Sequence, residues 1–215
     1  MVRQARSEAT RKKIVNAAVD LFAEVGYQAT GLGDIIERAE LTKGALYYHF
    51  DSKEALATAI IEEGVSTALI AFRNIGEPSA PALENMIHGV FFVAEMIRTD
   101  KMVRTGAQLL RAFGPFNDAT VLTHRHLLAD MVNQAGQAIA EGDLRDDLDP
   151  QAVGEVIVGA MLGAELMSNV GSGGSDLMDR IARTWSLVLP ALATEGSLPY
   201  FREFLARESM RHRPA

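Results

Sequence analysis

Along nearly the whole chain, apolar residues return every three or four positions, and no segment alternates apolar with polar side chains over a strand's length. That repeat is the signature of a helix with one buried face, and it leaves little from which a sheet could be built. The chain is therefore expected to be all-α, with nine or ten helices. The first shows its face in Ile14, Ala17, Ala18, Leu21, Phe22 and Val25, starts near Ser7, and stops at Gly26, which is free to adopt a positive φ. A short second helix covers Leu32 to Ala39. Thr42 is a good N-cap for a third over Lys43 to His49, and Asp51-Ser52 cap a fourth from Lys53 to about Asn74. Breaks at residues 76–81, at Pro115, over Asp143–Asp149 and at the glycine-rich 171–175 separate further helices near 80–98, 101–113, 118–141, 150–170, 176–193 and 197–211.

Charge is distributed unevenly. The net charge is −7, yet residues 1–55 carry eight basic and eight acidic side chains, so the deficit lies wholly beyond them. Residues 1–13 set Arg3, Arg6, Arg11, Lys12 and Lys13 against Glu8 alone. A basic head on an acidic body suits a modular binder of a polyanion. The absence of cysteine excludes disulfides and thiolate metal sites. No apolar leader opens the chain, and the most apolar stretch, Val153 to Val170, carries Glu155 and Glu165. It reads as a buried helix, so a cytoplasmic, soluble protein without a membrane partner is expected.

Within the head, the third helix carries the chemistry. Leu46 and Phe50 share one face and can pack beneath it. Lys43, Gly44, Ala45, Tyr47, Tyr48 and His49 surround the remaining surface, where two tyrosines and a histidine need polar partners. Duplex DNA supplies them. Gly44 and Ala45 permit close approach, Ala45 can meet a thymine methyl, and Lys43 can reach a guanine edge or a phosphate. Thr42, the tyrosine hydroxyls, His49 and Lys53 can hold phosphates. The competing reading for Tyr47 is a half-buried packing residue.

The run Ala29-Thr30-Gly31-Leu32-Gly33-Asp34-Ile35-Ile36-Glu37-Arg38-Ala39, then Leu41-Thr42-Lys43-Gly44-Ala45-Leu46-Tyr47-Tyr48-His49-Phe50 and Ser52-Lys53, resembles the DNA-binding head of the tetracycline-repressor (TetR) family. The likeness is dense over about the first 60 residues. It implies a helix-turn-helix domain over residues 1–52 and a ligand-binding and dimerisation domain over 53–215, with 53–74 as the connecting helix. It implies phosphate contacts from Thr30, Thr42, Tyr48, His49 and Lys53, and base approach by Lys43, Gly44, Ala45 and Tyr47. The expected protein is a homodimeric repressor on palindromic double-stranded operator DNA, released by a small hydrophobic effector. Two departures stand out: Glu40 occupies a turn position usually held by glycine, and Gly31 and Gly33 should loosen the start of the second helix.

The body is read more coarsely. Met86, Phe91, Leu110, Phe113, Leu127, Met131, Met161 and Trp185 are adaptable apolar side chains suited to a pocket, with Gln134 and Glu165 as polar groups that can orient a ligand. Ordinary core packing explains each of them singly. Gly159 and Gly163 make a flat strip on one helix, which with the helix over 176–193 would form a four-helix interface with a second copy. Contact within the chain is the alternative. The Thr42–Tyr47 wording and the Asp143–Asp149 segment resemble γ-butyrolactone receptors, although Leu127 stands where those receptors usually place a tryptophan. A different hydrophobic effector remains open.

No cofactor or metal is expected. His124 and His126 are two apart and diverge on a helix, the Asp143–Asp149 run lacks the glycine and final glutamate of a calcium loop, and no phosphate loop or Ser/His/Asp set is present. An enzyme is therefore not expected, although Glu165 or His88 would be the acid/base candidates. A helical small-molecule-binding protein with weak or lost DNA binding is the principal alternative.

Overall fold

The computed structural model describes residues 2–75, 80–113 and 118–212. Most of the break expected at 76–81, together with Pro115 and its neighbour Phe116, lies outside them. Ten helices and no named strand occur among the described residues: α1 (Val2–Val25), α2 (Leu32–Arg38), α3 (Lys43–His49), α4 (Lys53–Ile75), α5 (Ala82–Thr99), α6 (Lys101–Phe113), α7 (Asp118–Ala140), α8 (Pro150–Ser172), α9 (Leu177–Leu192) and α10 (Leu198–Arg211). α1 starts earlier than expected because no Gly or Pro interrupts residues 2–25.

Local chemistry accounts for most boundaries. Gly26 ends α1 at φ +87. The Gly31 N–H donates to Asp34 Oδ2 at 2.7 Å and opens α2. Thr42 Oγ1 accepts from the Ala45 N–H at 3.2 Å, and Ser52 Oγ accepts from the Ala55 N–H at 3.0 Å, capping α3 and α4. Asp149 Oδ1 caps α8 through the Gln151 N–H, with Pro150 in the first turn.

Two compact units emerge: Met1–Thr67 with Thr99–Thr123, and Ala68–Arg98 with His124–Ala215. The division differs from a cut at residue 52, because the start of α4 and all of α6 pack with the head. Gly64 of α4 and Gly106 of α6 are the reason. A Cβ at Gly64 would lie 2.8 Å from the Met102 carbonyl oxygen, so only glycine lets the two backbones come so close. The first unit's core gathers Ile14, Ala18, Ile35, Leu46, Leu56 and Ile60, all fully buried, with Phe22, Phe50, Leu109 and Leu110.

In the second unit α8, α9 and α10 pack consecutively. Phe72, near the end of α4, lies over Gly89 of α5, and Gly154 of α8 receives Val132 of α7. The Asp143–Asp149 segment is a tie between turns: the Arg145 N–H donates to the Leu192 carbonyl, and the Thr194 N–H to that of Asp143. At the α8–α9 corner, Asp176 accepts from Ser168 and Ser172 hydroxyls, both at 2.6 Å, and from Arg180 Nε at 2.8 Å.

Candidate functional site

α3 sits on the first unit with Leu46 fully buried and Phe50 at 5% exposure. Burying two such side chains contributes about 1.5–3 kcal/mol each, which orients the helix. Its other face is open. Thr42, Lys43 and Gly44 are exposed, Tyr47 is 43% and Tyr48 75% exposed, and Ala45 and His49 are half-buried. Tyr47 therefore belongs to the surface. Tyr48 and His49 meet edge to face, with ring centroids 5.0 Å apart. Nothing lies within 4 Å of a Cβ built on Gly44, so backbone approach there is unobstructed.

Two expected phosphate ligands are held elsewhere. Thr30 is 2% exposed, and its hydroxyl donates to the Gly26 carbonyl at 2.9 Å. It closes the α1–α2 turn and its side chain is not on the open surface. Lys53 turns inward: Nζ donates to the carbonyls of Tyr27 and Thr30, both at 2.9 Å, and lies 4.3 Å from the centre of the Tyr27 ring. Two of its three donors thus clamp the α1–α2 turn. Tyr27, which the sequence offered only as part of the Gly26-Tyr27 likeness to the TetR head, completes this cluster edge-on to Phe22 and Phe113. Its partners lie far apart in sequence, so no local pattern marked that role. The turn before α3 holds Glu40 at φ 54, the only non-glycine residue at positive φ among the described residues.

The body residues expected to line a pocket divide between the units. Leu110 and Phe113 are in the first, packed in the head's own core, because α6 belongs there. Met86, Phe91 and Met131 are buried in the second unit, and Leu127 and Gln134 are half-buried. Met161 and Trp185 line a narrow cleft with Val90, Ile157, Ala160, Ala164, Ile181 and Thr184, and Glu165 is buried beside them on α8. Gln134 Oε1 is buried and accepts no hydrogen bond.

On α8, Val156, Gly159, Gly163, Leu166, Met167 and Val170 follow one another at helical spacing and are all exposed. Nothing approaches within 4 Å of a Cβ at either glycine. Leu187 of α9 is 78% exposed.

Two short helices behind a long α1, with the third helix fixed from below and open above, form a helix-turn-helix, and a helical second unit makes this the architecture of a DNA-binding regulator. Residues 14–60 match the family described as bacterial regulatory proteins, tetR family. The chain is 34% identical over 208 residues to the A-factor receptor protein of Streptomyces griseus, covering 94% of this chain and 70% of that one. It therefore belongs to the TetR family of transcriptional regulators. A crystal structure of a γ-butyrolactone receptor (ArpA-like protein) superposes with a TM-score of 0.77 at 25% identity, covering 95% of this chain and 99% of that one. CprB of Streptomyces coelicolor, solved with its biological operator sequence, superposes at 0.75 with 26% identity, covering 96% and 99%.

Proposed function

We propose that the chain is a cytoplasmic, ligand-responsive repressor without enzymatic activity, which binds a palindromic operator as a homodimer and leaves it when a small hydrophobic effector binds. The observation that carries this reading is the open α3 surface of Lys43, Gly44, Tyr47 and Tyr48 above buried Leu46 and Phe50. Lys43, Gly44, Ala45 and Tyr47 approach the bases, while Thr42, Tyr48 and His49 hold phosphates. Dimerisation through α8 and α9 is supported by the exposed apolar strip around Gly159 and Gly163, whose association would remove it from water. The likeness to receptors named for A-factor and γ-butyrolactone makes a lactone the first effector to try.

α4 contributes residues to both units. An effector that favours a different setting of this helix would change the spacing of the paired α3 helices, which must match successive major grooves about 34–36 Å apart. A gel shift on operator fragments selected from random duplex DNA tests the reading. Affinity should fall steeply with salt as counterions are released, and Lys43→Ala with Tyr47→Ala should abolish the shift while the dimer persists. Absence of any shift by the native dimer would favour instead a small-molecule binder that has lost its operator.

A further inference from the structure

We propose that His88, Glu208 and His212 form a site for one zinc-class divalent cation, tying α10 to α5 inside the second unit. Glu208 is 2% exposed and bordered by two imidazoles. Its Oε2 accepts from His88 Nδ1 at 2.7 Å, and His212 Nε2 lies 3.6 Å from the same oxygen. All three ligand atoms fall within 4.8 Å of one another. A tetrahedral ion with bonds of about 2.0–2.1 Å holds its ligands roughly 3.3 Å apart, so side-chain shifts that change the present separations by at most about 1.5 Å would bring them to coordinating distance.

A plain hydrogen-bonded staple accounts for His88 and Glu208 but leaves His212 unexplained. Its side chain is 11% exposed, and among the described residues its buried Nε2 has no hydrogen-bond partner, the Glu208 oxygen at 3.6 Å being too distant. A metal satisfies that nitrogen. The surroundings hold the ligands in place as the outer shell of a metal site does. Arg211 Nη1 donates to Glu208 Oε1 at 2.8 Å, which leaves Oε2 to the histidines. The Phe91 ring stacks on His212, with centroids 5.7 Å apart and planes at 17°.

A divalent ion would take the Glu208 carboxylate together with both imidazoles in their neutral forms. From α5, Glu95 faces His212 and is itself paired with Arg98. Two imidazoles and one carboxylate match the preferences of Zn²⁺ and are poor for Mg²⁺ or Ca²⁺, and water would take the fourth position.

The test uses untagged full-length protein, stripped of metal and then equilibrated with Zn²⁺ or Co²⁺. One equivalent per chain should bind, the cobalt form should show the visible bands of a tetrahedral N/O site, and zinc should raise the melting temperature. His88→Gln and His212→Gln should each weaken zinc by about 10-fold or more while the far-ultraviolet dichroism is kept. A double His124→Gln and His126→Gln variant should bind as the native chain does. Should a site variant unfold, zinc must still protect His88 and His212 of the native protein from acylation by diethyl pyrocarbonate. No stoichiometric uptake, uptake indifferent to both variants, or acylation unchanged by zinc would each overturn the proposal.

Discussion

Glu40 sits at φ 54, where a side chain costs about 1–2 kcal/mol relative to glycine, and it is exposed in the turn just ahead of α3. Glu40→Gly should raise unfolding free energy in urea by up to about 1 kcal/mol, since added freedom in the unfolded chain offsets part of the relief. It should also tighten operator binding by removing a negative charge next to the proposed DNA-contacting helix. Asp176 makes a different prediction, one of pH. The Arg180 side chain, then the Ser168 and Ser172 hydroxyls, hold its carboxyl far below its ordinary value of 3.8. A lowered folded pKa contributes stability that is complete above the unfolded value and fades as pH falls toward the folded one. Melting curves of the native chain and Asp176→Asn should therefore differ fully at neutral pH, and the gap should close only well below pH 4. Equal gaps at all pH values would deny the carboxylate this role. The Glu40 departure was legible because a turn position declares itself locally. The Asp176 cluster was not, since nothing in a run of glycines and serines reveals which hydroxyls turn toward a carboxylate.

At the scale of elements, α3 and α4 begin where Thr42 and Ser52 say they should, because a cap acts within three residues. The partnership of α4 with α6 has no such marker. It depends on Gly64 and Gly106, whose Cα atoms would lie within 3.3 Å of a Cβ added to the other. Gly64→Ala would also press on the Met102 carbonyl, a backbone atom that cannot rotate away. The expected loss is about 1–3 kcal/mol in chemical denaturation, as for other overpacked sites. Gly159→Ala, whose new methyl meets nothing within the chain, should leave the monomer's own packing intact. The same partnership places Leu110 and Phe113, expected on sequence grounds to line a ligand pocket, in the first unit's core. Their helical spacing announces a buried face without saying which core buries it.

Over the whole molecule, the surface of α8 is the least settled feature of a lone chain. Val156, Leu166, Met167 and Val170 are each at least half exposed along one strip, more apolar surface than a helix ordinarily leaves in water. If the proposed dimer forms through this strip, Met167→Glu with Val170→Glu should give a monomer in sedimentation and weaken operator binding, with the α3 surface untouched. Sedimentation as an unchanged dimer would place the interface elsewhere. Trp185, 2% exposed and lining the α8–α9 cleft, should cost about 3–5 kcal/mol when replaced by alanine. Effector binding measured on a milder Trp185→Phe chain would separate loss of ligand from loss of fold.

The residue pattern alone pointed to nine or ten helices, to the caps of α3, α4 and α8 and the stop of α1, and to Leu46 and Phe50 as the buried side of the third helix. Helical periodicity, capping and positive φ all act within a few residues of themselves. Only the tertiary structure decided that α6 joins the head, that Thr30 and Lys53 turn inward, and that His88 meets His212. Those outcomes depend on which helix faces come together, and side chains distant along the chain carry no local sign of their eventual neighbours.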